Sequence, residues 1–298
     1  MQLVVGQAFN GVSEGSVLLL VALGLAFTFG LMGVINMAHG EFIMIGAYVA
    51  YLLQRLLHSS DPSLVLLLGL PVGFAVGGAI GWLMEFSLVR FLYGRPLDTL
   101  LATWGVSLLL QQGARSLFGA PNVAVKSPAW LSAAWRIGPE LTFADARLFI
   151  LGLTATVLLL LYVYLFRTVA GRRTRAAMQN REMAGCLGVS TRTLDGLTFA
   201  IGSGLAALAG VVLTLIGPIG PTIGSDYIVD AFMVVVLGGV GQLAGAVSGA
   251  ALFGTAKALF QFYTTASVGT VLAFAMIVAL LQWRPQGIIA RRGRQLDS

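Results

Sequence analysis

Nine apolar segments occupy most of this 298-residue chain, and they constrain its fold more than any other feature. The segments lie at 11–30, 42–57, 64–89, 99–117, 148–166, 197–216, 228–240, 243–263 and 268–283. A helix that crosses a bilayer needs about 20 predominantly apolar residues, with a range of about 17–25. Segments 42–57 and 228–240 are short for a full crossing. They therefore predict tilted, re-entrant or half-helical segments within the membrane.

The composition excludes a soluble domain. Only 10% of the residues are charged and 57% are hydrophobic, whereas soluble domains carry about 25% charged residues. Lipid must therefore be the main solvent of the chain. Within lipid the backbone must satisfy its own hydrogen bonds, and the chain lacks the alternating strands of a membrane β-barrel. We predict an all-α polytopic membrane protein, a bundle of about eight or nine transmembrane helices in one domain that spans 1–298.

Segment 167–196 is the one long polar interruption, and it carries six arginines against two acidic residues. Cytoplasmic loops of membrane proteins carry an excess of Arg and Lys, so this segment is expected in the cytoplasm. The same orientation places Arg90, Arg95 and the tail from Arg284 inside, and with them 12 of the 18 basic residues. It makes 118–147 an external loop, with the N-terminus outside and the C-terminus cytoplasmic.

The middle of this segment has the properties of a short docking helix. From Arg175 to Leu187 it contains helix-forming residues and no proline, and Gly188 is the usual kind of residue to end such a helix. The helix either presses small apolar residues into a partner's groove or lies on anionic lipid. The residues predicted to share its broad face are Ala176, Asn180, Met183, Ala184 and Leu187. The candidate docking residues are Arg175, Gln179, Asn180, Glu182, Met183, Ala184, Leu187 and Gly188.

A polar run interrupts the apolar sequence between the first two segments. Asn36, His39 and Glu41 stand there among glycines, which is typical of a broken helix or a re-entrant turn. Ionisable residues at membrane depth are costly and are therefore candidates for function. These three residues either serve the solute or hold the break together. One histidine and one glutamate are too few for a metal site, so none is expected.

Three polar residues at four-residue spacing lie in the fourth segment. Thr103, Ser107 and Gln111 share one face of a helix. Their hydroxyl and amide groups either line a path for a neutral polar solute or form hydrogen bonds between helices. Asp230, in the seventh segment, is a further candidate for the path. The candidate translocation path consists of Asn36, His39, Glu41, Thr103, Ser107, Gln111 and Asp230.

Two further patterns concern packing within the membrane. Small residues recur at four-residue spacing in three sets, which permits close helix contacts between subunits or inside the bundle. The sets are Gly73/Gly77/Gly81, Gly202/Ala206/Gly210 and Gly241/Gly245/Gly249. Glu85 and Lys257 are also embedded and are candidates for an ion pair with each other.

Several runs of sequence resemble a known transporter family. Glu182-Met183-Ala184 followed by Gly188 is similar to the Glu-Ala-Ala-x-x-x-Gly coupling motif of bacterial ABC importer permeases, with Met183 in place of the middle alanine. The runs that resemble the branched-chain amino acid permease family are Asn10-Gly11, Gly33–Glu41, Gly46-Ala47-Tyr48 and Asn180–Gly188. The runs that resemble its urea-type subunit are Leu97–Ser107, Phe118–Asn122 and Gly217–Thr222. The resemblance extends over about residues 6–290.

The resemblance implies a heterodimer of two homologous permease subunits, two cytoplasmic ATPases and a periplasmic binding protein that delivers the solute. It implies a multi-pass protein of the bacterial cytoplasmic (inner) membrane, and it makes the docking residues an ATPase-coupling helix. The chain has no Walker A sequence, so it is not expected to be an enzyme. ATP and Mg²⁺ are expected on the partner ATPases, and no cofactor, metal or nucleic acid is expected on this chain.

The substrate expectation also comes from the resemblance. Urea is small, neutral and planar, and amide, hydroxyl or carboxylate groups can bind it without a fixed charge pair. We expect import of urea or a closely related small amide by alternating access. The alternative within the class is a permease for branched-chain or other small amino acids, whose zwitterionic form calls for charge complements in the path. The alternative of another class is a standalone small-solute channel, which has no use for a coupling helix.

Overall fold

The structure, a computed structural model, describes residues 2–57, 61–131, 134–136 and 142–289. The helices are α1 (Gln2–Met32), α2 (His39–Leu56), α3 (Pro62–Ser87), α4 (Pro96–Phe118), α5 (Asp145–Arg167), α6 (Val169–Gln179), α7 (Arg181–Cys186), α8 (Thr191–Leu213), α9 (Ile223–Gly238), α10 (Leu243–Tyr263) and α11 (Ala266–Trp283). Two short strands, β1 (Ala134–Arg136) and β2 (Thr142–Ala144), form an antiparallel hairpin. The last predicted cytoplasmic arginines, Arg291, Arg292 and Arg294, lie outside the described residues.

Each predicted apolar segment corresponds to one long helix, which confirms the all-α membrane fold. In the described part of the chain, six helices are long and apolar enough to cross a bilayer, namely α1, α3, α5, α8, α10 and α11. The segments predicted to be short, 42–57 and 228–240, belong to α2 and α9. The sequence does not predict the β1–β2 hairpin within 118–147, because three-residue strands carry no periodic signal.

Local sequence sets the start of two of these helices. Pro62 and Pro96 occupy the first turns of α3 and α4, where the missing N–H of proline leaves no helical hydrogen bond unmade. Asp61 caps α3, because its Oδ1 accepts a hydrogen bond from the Ser63 amide at 2.9 Å.

Two of the three basic regions that the sequence predicts on one side, the turn after α3 and segment 167–196, do lie at one end of the bundle. The turn after α3 places the ring of Tyr93 5.0 Å from the guanidinium of Arg181, within segment 167–196. At the other end, Val123 and Ile219 pair through two backbone hydrogen bonds of 2.8 Å. We call these the basic end and the opposite end of the bundle.

Helix α8 packs against α1, α2 and α3 at the centre of the bundle. A Cβ on Gly46 of α2 would lie 1.8 Å from the carbonyl oxygen of Ala207 in α8, so only glycine permits this approach. Gly24 of α1 is similarly close to Gly202 of α8, since a Cβ there would lie 2.3 Å from its carbonyl oxygen. Helix α8 is therefore in direct backbone contact with both α1 and α2.

The small-residue sets pack inside this bundle. Gly77 of α3 faces Ala207 of α8, and Gly249 of α10 faces the carbonyl oxygen of Val234 in α9. These contacts agree with the alternative of ordinary helix packing. Gly241 lies in the turn before α10 with a φ of 79°, so the third set does not share one helix as predicted.

Candidate functional site

The chain between α1 and α2 forms a break in the middle of the bundle. Residues 33–38 are not helical. Helix α2 begins at His39, whose Nε2 lies 3.3 Å from the carbonyl oxygen of Val21, halfway along the α1 span. The predicted broken helix is confirmed. Asn36 helps to hold it, because its Oδ1 accepts a hydrogen bond from the Ala38 amide at 3.0 Å.

A hydrogen-bond network joins this break to α4 and α9. Glu41 Oε1 accepts hydrogen bonds from Ser107 Oγ at 2.9 Å and from Gln111 Nε2 at 2.8 Å. Gln111 Nε2 also donates to Ser225 Oγ, near the start of α9, at 3.2 Å. Three helices thus meet at one carboxylate.

The polar face predicted for α4 is confirmed. Thr103, Ser107 and Gln111 all face the break, and Thr103 Oγ1 accepts a hydrogen bond from the Met37 amide at 3.1 Å. Six of the seven predicted path residues therefore lie together. With Ser225 they form what we call the α2 cluster, which comprises Asn36, His39, Glu41, Thr103, Ser107, Gln111 and Ser225.

The α2 cluster is buried, but its hydrogen-bonding capacity is not exhausted. Asn36, His39 and Glu41 are each at most 2% exposed. Asn36 Nδ2, His39 Nδ1 and Glu41 Oε2 have no hydrogen-bond partner among the described residues. Buried polar side-chain atoms in proteins are usually bonded. The three free positions, which lie within six residues of one another, therefore leave this cluster with hydrogen-bonding capacity for a further group.

Two helix N-termini meet at the same place. A Cβ on Gly40 would lie 2.5 Å from the carbonyl oxygen of Gly224, so the first turns of α2 and α9 are in backbone contact. A helix N-terminus carries a partial positive charge. Glu41 lies in the first turn of α2 and Asp226 in the first turn of α9, where these helix dipoles stabilise a carboxylate.

Asp230, the seventh predicted path residue, lies in a different site. Its Oδ2 is 2.7 Å from Lys257 Nζ, which also lies 3.0 Å from Glu14 Oε1. The predicted pairing of Lys257 with Glu85 is wrong, because α10 packs against α1, α9 and α11. Glu85 of α3 instead accepts a hydrogen bond from the Tyr93 hydroxyl at 3.0 Å.

The ion pairs of Lys257 with Asp230 and Glu14 border a cavity of about 600 Å³ near the opposite end of the bundle. We call it the charged cavity. The volume is within the roughly 300–1,000 Å³ range of small-molecule sites. Its charged lining residues are Glu14, Arg147, Asp226, Asp230 and Lys257. Its apolar lining includes Val17, Leu18, Ile216 and Phe262. The cavity thus offers both signs of charge beside an apolar wall.

Segment 167–196 contains two short helices where the sequence predicts one. The break falls at Asn180, whose backbone is extended and whose Oδ1 accepts a hydrogen bond from the Met183 amide at 2.9 Å. Asn180 therefore caps α7, which begins at Arg181. Gly188 follows the end of α7 with a φ of 82°, which confirms the predicted left-handed cap.

The exposed surface of α7 differs from the apolar face that the sequence predicts. Ala184 is only 2% exposed and packs inside the chain, whereas Met183 and Leu187 are 57% and 77% exposed. The break at Asn180 also places Ala176 on a separate helix, so the predicted shared face does not form. The surface available to a partner is centred on Met183 and Leu187.

Another polar cluster, at the basic end, connects α7 to the rest of the bundle. Arg181 makes a two-pronged ion pair with Asp195 of α8, whose side chain is 3% exposed. The Arg181 guanidinium also lies over the ring of Tyr93, which donates its hydroxyl hydrogen bond to Glu85. Burial and the nearby carboxylates raise the pKa of Tyr93, so its hydroxyl stays protonated and continues to donate. We call Arg181, Asp195, Tyr93 and Glu85 the anchor cluster.

Sequence reasoning missed several members of these sites as functional candidates, namely Arg181, Glu14, Arg147, Ser225, Tyr93 and Asp195. Ser225 follows a Gly/Pro turn, and a single serine there carries no periodic signal. Tyr93 lies in a short turn and is linked to Glu85 only by the fold. Asp195 is one of two acids in a segment with six arginines, and that imbalance is the signal that points to an internal ion pair.

A helical membrane bundle with a buried polar break and a capped basic segment at one end has the architecture of a solute permease. The chain belongs to the branched-chain amino acid transport permease family, since the family model "Branched-chain amino acid transport system / permease component" matches residues 7–281. Its relatives are non-catalytic permease subunits, and this chain is likewise not an enzyme.

Individual relatives cover almost the whole chain. The high-affinity branched-chain amino acid transport system permease protein LivH of Escherichia coli is 33% identical, over 96% of this chain and 95% of the relative. BraD of Pseudomonas aeruginosa, with the same description, is 31% identical over the same shares. LivM of Escherichia coli is 26% identical over 93% of this chain and 69% of that relative. No solved structure gives a significant match.

Proposed function

We propose that this chain is the permease subunit of an ATP-driven importer that carries branched-chain amino acids across the bacterial cytoplasmic membrane. The names of its relatives support this substrate, because LivH and BraD are permeases for branched-chain amino acids. They give no support to the urea expectation. We therefore propose branched-chain amino acids, the alternative substrate of the sequence analysis, in place of urea.

The observation that carries the proposal is the charged cavity. An amino acid is a zwitterion, so its path calls for groups of both charges. Lys257 and Arg147 lie in the cavity wall with Glu14 and Asp230, and apolar side chains such as Leu18 face the same space. A branched aliphatic side chain fits beside the apolar wall while its charged groups meet the polar one.

The proposed complex contains a second, homologous permease, two cytoplasmic ATPases and a periplasmic binding protein. The match to both LivH and LivM supports two related permease subunits. ATP and Mg²⁺ act on the ATPases, which dock against the exposed Met183 of α7 and Leu187 just after that helix. The excess of arginine at the basic end orients that end toward the cytoplasm, with the N-terminus outside.

Coupling then follows from the packing. Movement of the ATPases displaces α7, and the ion pair of Arg181 with Asp195 carries the displacement to α8. Helix α8 moves α2 through the contact of Gly46 with Ala207. The α2 cluster thereby changes its access from one side of the membrane to the other.

Urea remains a second candidate because of the α2 cluster. Its hydroxyl and amide groups, at Ser107, Gln111 and Asn36, suit a neutral solute with both donors and an acceptor. The runs that resemble the urea-type subunit, Leu97–Ser107 and Gly217–Thr222, favour the same solute.

Transport by the complete complex in proteoliposomes separates these candidates. We expect ATP-dependent uptake of labelled leucine that unlabelled isoleucine inhibits and urea does not. ATP-dependent urea uptake that leucine does not inhibit would replace the amino acid with urea as substrate. ATP-independent flux of either solute through liposomes with this chain alone would replace the importer with a channel.

A further inference from the structure

Glu41 is the one carboxylate of the α2 cluster, and only one of its oxygens is occupied. Oε1 accepts two hydrogen bonds, from Ser107 and Gln111, and Oε2 has no partner among the described residues. A carboxylate has only acceptor sites when ionised. A buried oxygen of this kind is costly unless a donor reaches it. With the carboxylate ionised, the group that completes Oε2 therefore supplies an N–H or O–H.

The surroundings of Glu41 explain why an acceptor can be kept there. The residue lies in the first turn of α2, and the start of α9 is in contact at Gly224. The positive ends of the two helix dipoles stabilise negative charge at this point. The free Nδ2 of Asn36, just before the same helix, is a donor with no partner among the described residues. One short stretch of chain thus presents a free acceptor and a free donor.

The cluster also lies deep in the bundle. It is level with the middle of α1, and α4 covers it. The buried residues of α4 are Thr99, Thr103, Ser107 and Ala114, whereas Trp104 and Leu108 on its other side are 52% and 48% exposed. Ser107 and Gln111 of α4 contact Glu41 through hydrogen bonds, which a solute with matching donors can replace.

We propose that Glu41 Oε2 is the subsite that receives the N–H groups of the transported solute inside the membrane, with Asn36 Nδ2 donating to the solute's oxygen. The chemical class is a small solute that carries N–H donors and a carbonyl or carboxylate oxygen. An amino acid supplies its ammonium and carboxylate, and urea supplies its amide N–H groups and carbonyl. This inference rests on the proposed function and assigns its solute contact.

The test is solute binding to the complete complex in nanodiscs without the binding protein, followed by saturation-transfer NMR. Leucine and urea are used as separate probes. Glu41→Gln keeps the size of the side chain and an oxygen for Ser107, but it replaces one acceptor oxygen with an NH₂ donor. We expect this variant to bind the wild-type solute at least about tenfold more weakly, as expected for loss of a charge-assisted hydrogen bond.

The matched control is Tyr48→Phe, which removes another buried polar atom of α2 that has no hydrogen-bond partner among the described residues and lies outside the α2 cluster. Its solute affinity should equal that of the wild type. If Glu41→Gln does not assemble, Glu41→Asp carries the same test, because the shorter side chain withdraws the free oxygen while it keeps the charge. Its affinity should also fall by at least about tenfold.

The outcomes distinguish the solutes and the two proposals. Loss of leucine affinity supports the subsite with an ammonium as its ligand, and loss of urea affinity supports it with an amide. Unchanged affinity for the solute that the wild type binds overturns the subsite, as does a wild-type complex that binds neither probe. Failure of ATP-driven uptake by the wild type instead overturns the proposed function. The binding measurements then still decide whether Glu41 is a solute subsite.

Discussion

The α2 cluster and the anchor cluster each bury a carboxylate near the start of a helix, but they satisfy it differently. Asp195 in the anchor cluster receives two N–H groups from Arg181. Glu41 in the α2 cluster receives neutral donors on one oxygen, and its other oxygen has no partner in the described chain. A carboxylate whose two oxygens both accept hydrogen bonds from one guanidinium is held in a single geometry. We call the Arg181–Asp195 pair the fixed joint. A carboxylate with a free oxygen can exchange partners, which a transport site requires.

The two clusters are connected through one helix. Asp195 lies near the start of α8, and the same helix meets α2 at Ala207, opposite Gly46. The fixed joint therefore lies at the basic end, and the unsaturated site lies deeper in the bundle. The contrast suggests which residues should change coupling and which should change solute binding.

The largest expected effect comes from breaking the fixed joint. Arg181→Ala leaves Asp195 buried without its cation. Removal of one partner of a fully buried pair costs about 3–5 kcal/mol. Because the Arg181 side chain is 41% exposed, solvent reduces the loss, and we expect about 2–3 kcal/mol. The measurement is the thermal unfolding of the purified complex in detergent, together with ATP-driven uptake.

Two companion variants give this prediction its controls. Arg173→Ala removes an exposed arginine from the same segment and should leave stability unchanged. The double variant Arg181→Leu with Asp195→Leu should recover most of the lost stability, because an apolar pair replaces a buried ion pair without an unpaired charge. A double variant that is less stable than Arg181→Ala would contradict the joint as described.

The next effect concerns the surface beside the joint. Leu187→Asp places a charge on a residue that is 77% exposed, so the permease itself should remain stable. We expect its affinity for the ATPases to fall by at least about thirtyfold, as for a central interface residue. Co-purification of the ATPases measures this, with Leu187→Met as the matched apolar control. Normal co-purification and uptake in Leu187→Asp would move the docking surface away from α7.

A smaller effect should follow from Tyr93→Phe. The substitution removes the hydroxyl that donates to Glu85 at 3.0 Å but keeps the ring under Arg181. We expect a loss of about 1–2 kcal/mol from the unsatisfied carboxylate. The same unfolding assay measures it, and Tyr93→Leu, which removes the ring as well, should lose more. Equal losses in both variants would show that the hydroxyl contributes and the ring does not.

The smallest effect should come from the edge of the α2 cluster. Ser225→Ala removes one contact of 3.2 Å to Gln111, which still donates to Glu41. A single partly exposed hydrogen bond contributes about 0.5–1 kcal/mol. We therefore expect solute affinity to fall by less than about fivefold in the saturation-transfer assay. A loss as large as that of Glu41→Gln would place Ser225 in direct contact with the solute.

Parts of both clusters are predictable from sequence because they obey local rules. The helical period places Thr103, Ser107 and Gln111 on one face, and the structure confirms it. Gly188 ends its helix as predicted because glycine accepts a positive φ at little cost. The roles in coupling and in the solute path remain predictions for the experiments above.

Other parts are not predictable, because they depend on contacts between distant residues. Asn180 is compatible with a helix interior or with a cap, and the sequence pattern does not distinguish these. The burial of Ala184 and the pairing of Lys257 with Asp230 and Glu14 depend on how α7 and α10 pack. Glu85 and Lys257 were natural partners by charge, but their helices are not neighbours.

The sequence by itself determined the solvent, the helices and the polar faces of this protein. Apolar length and helical period are properties of each segment alone, so they can be derived without the fold. Only the tertiary structure decided which polar groups share a site. It brought Ser107, Gln111 and Ser225 to Glu41 and left one oxygen of Glu41 free, while it closed Asp195 against Arg181. The physical reason is that hydrogen-bond saturation depends on atoms far apart in sequence, and packing alone sets their distances.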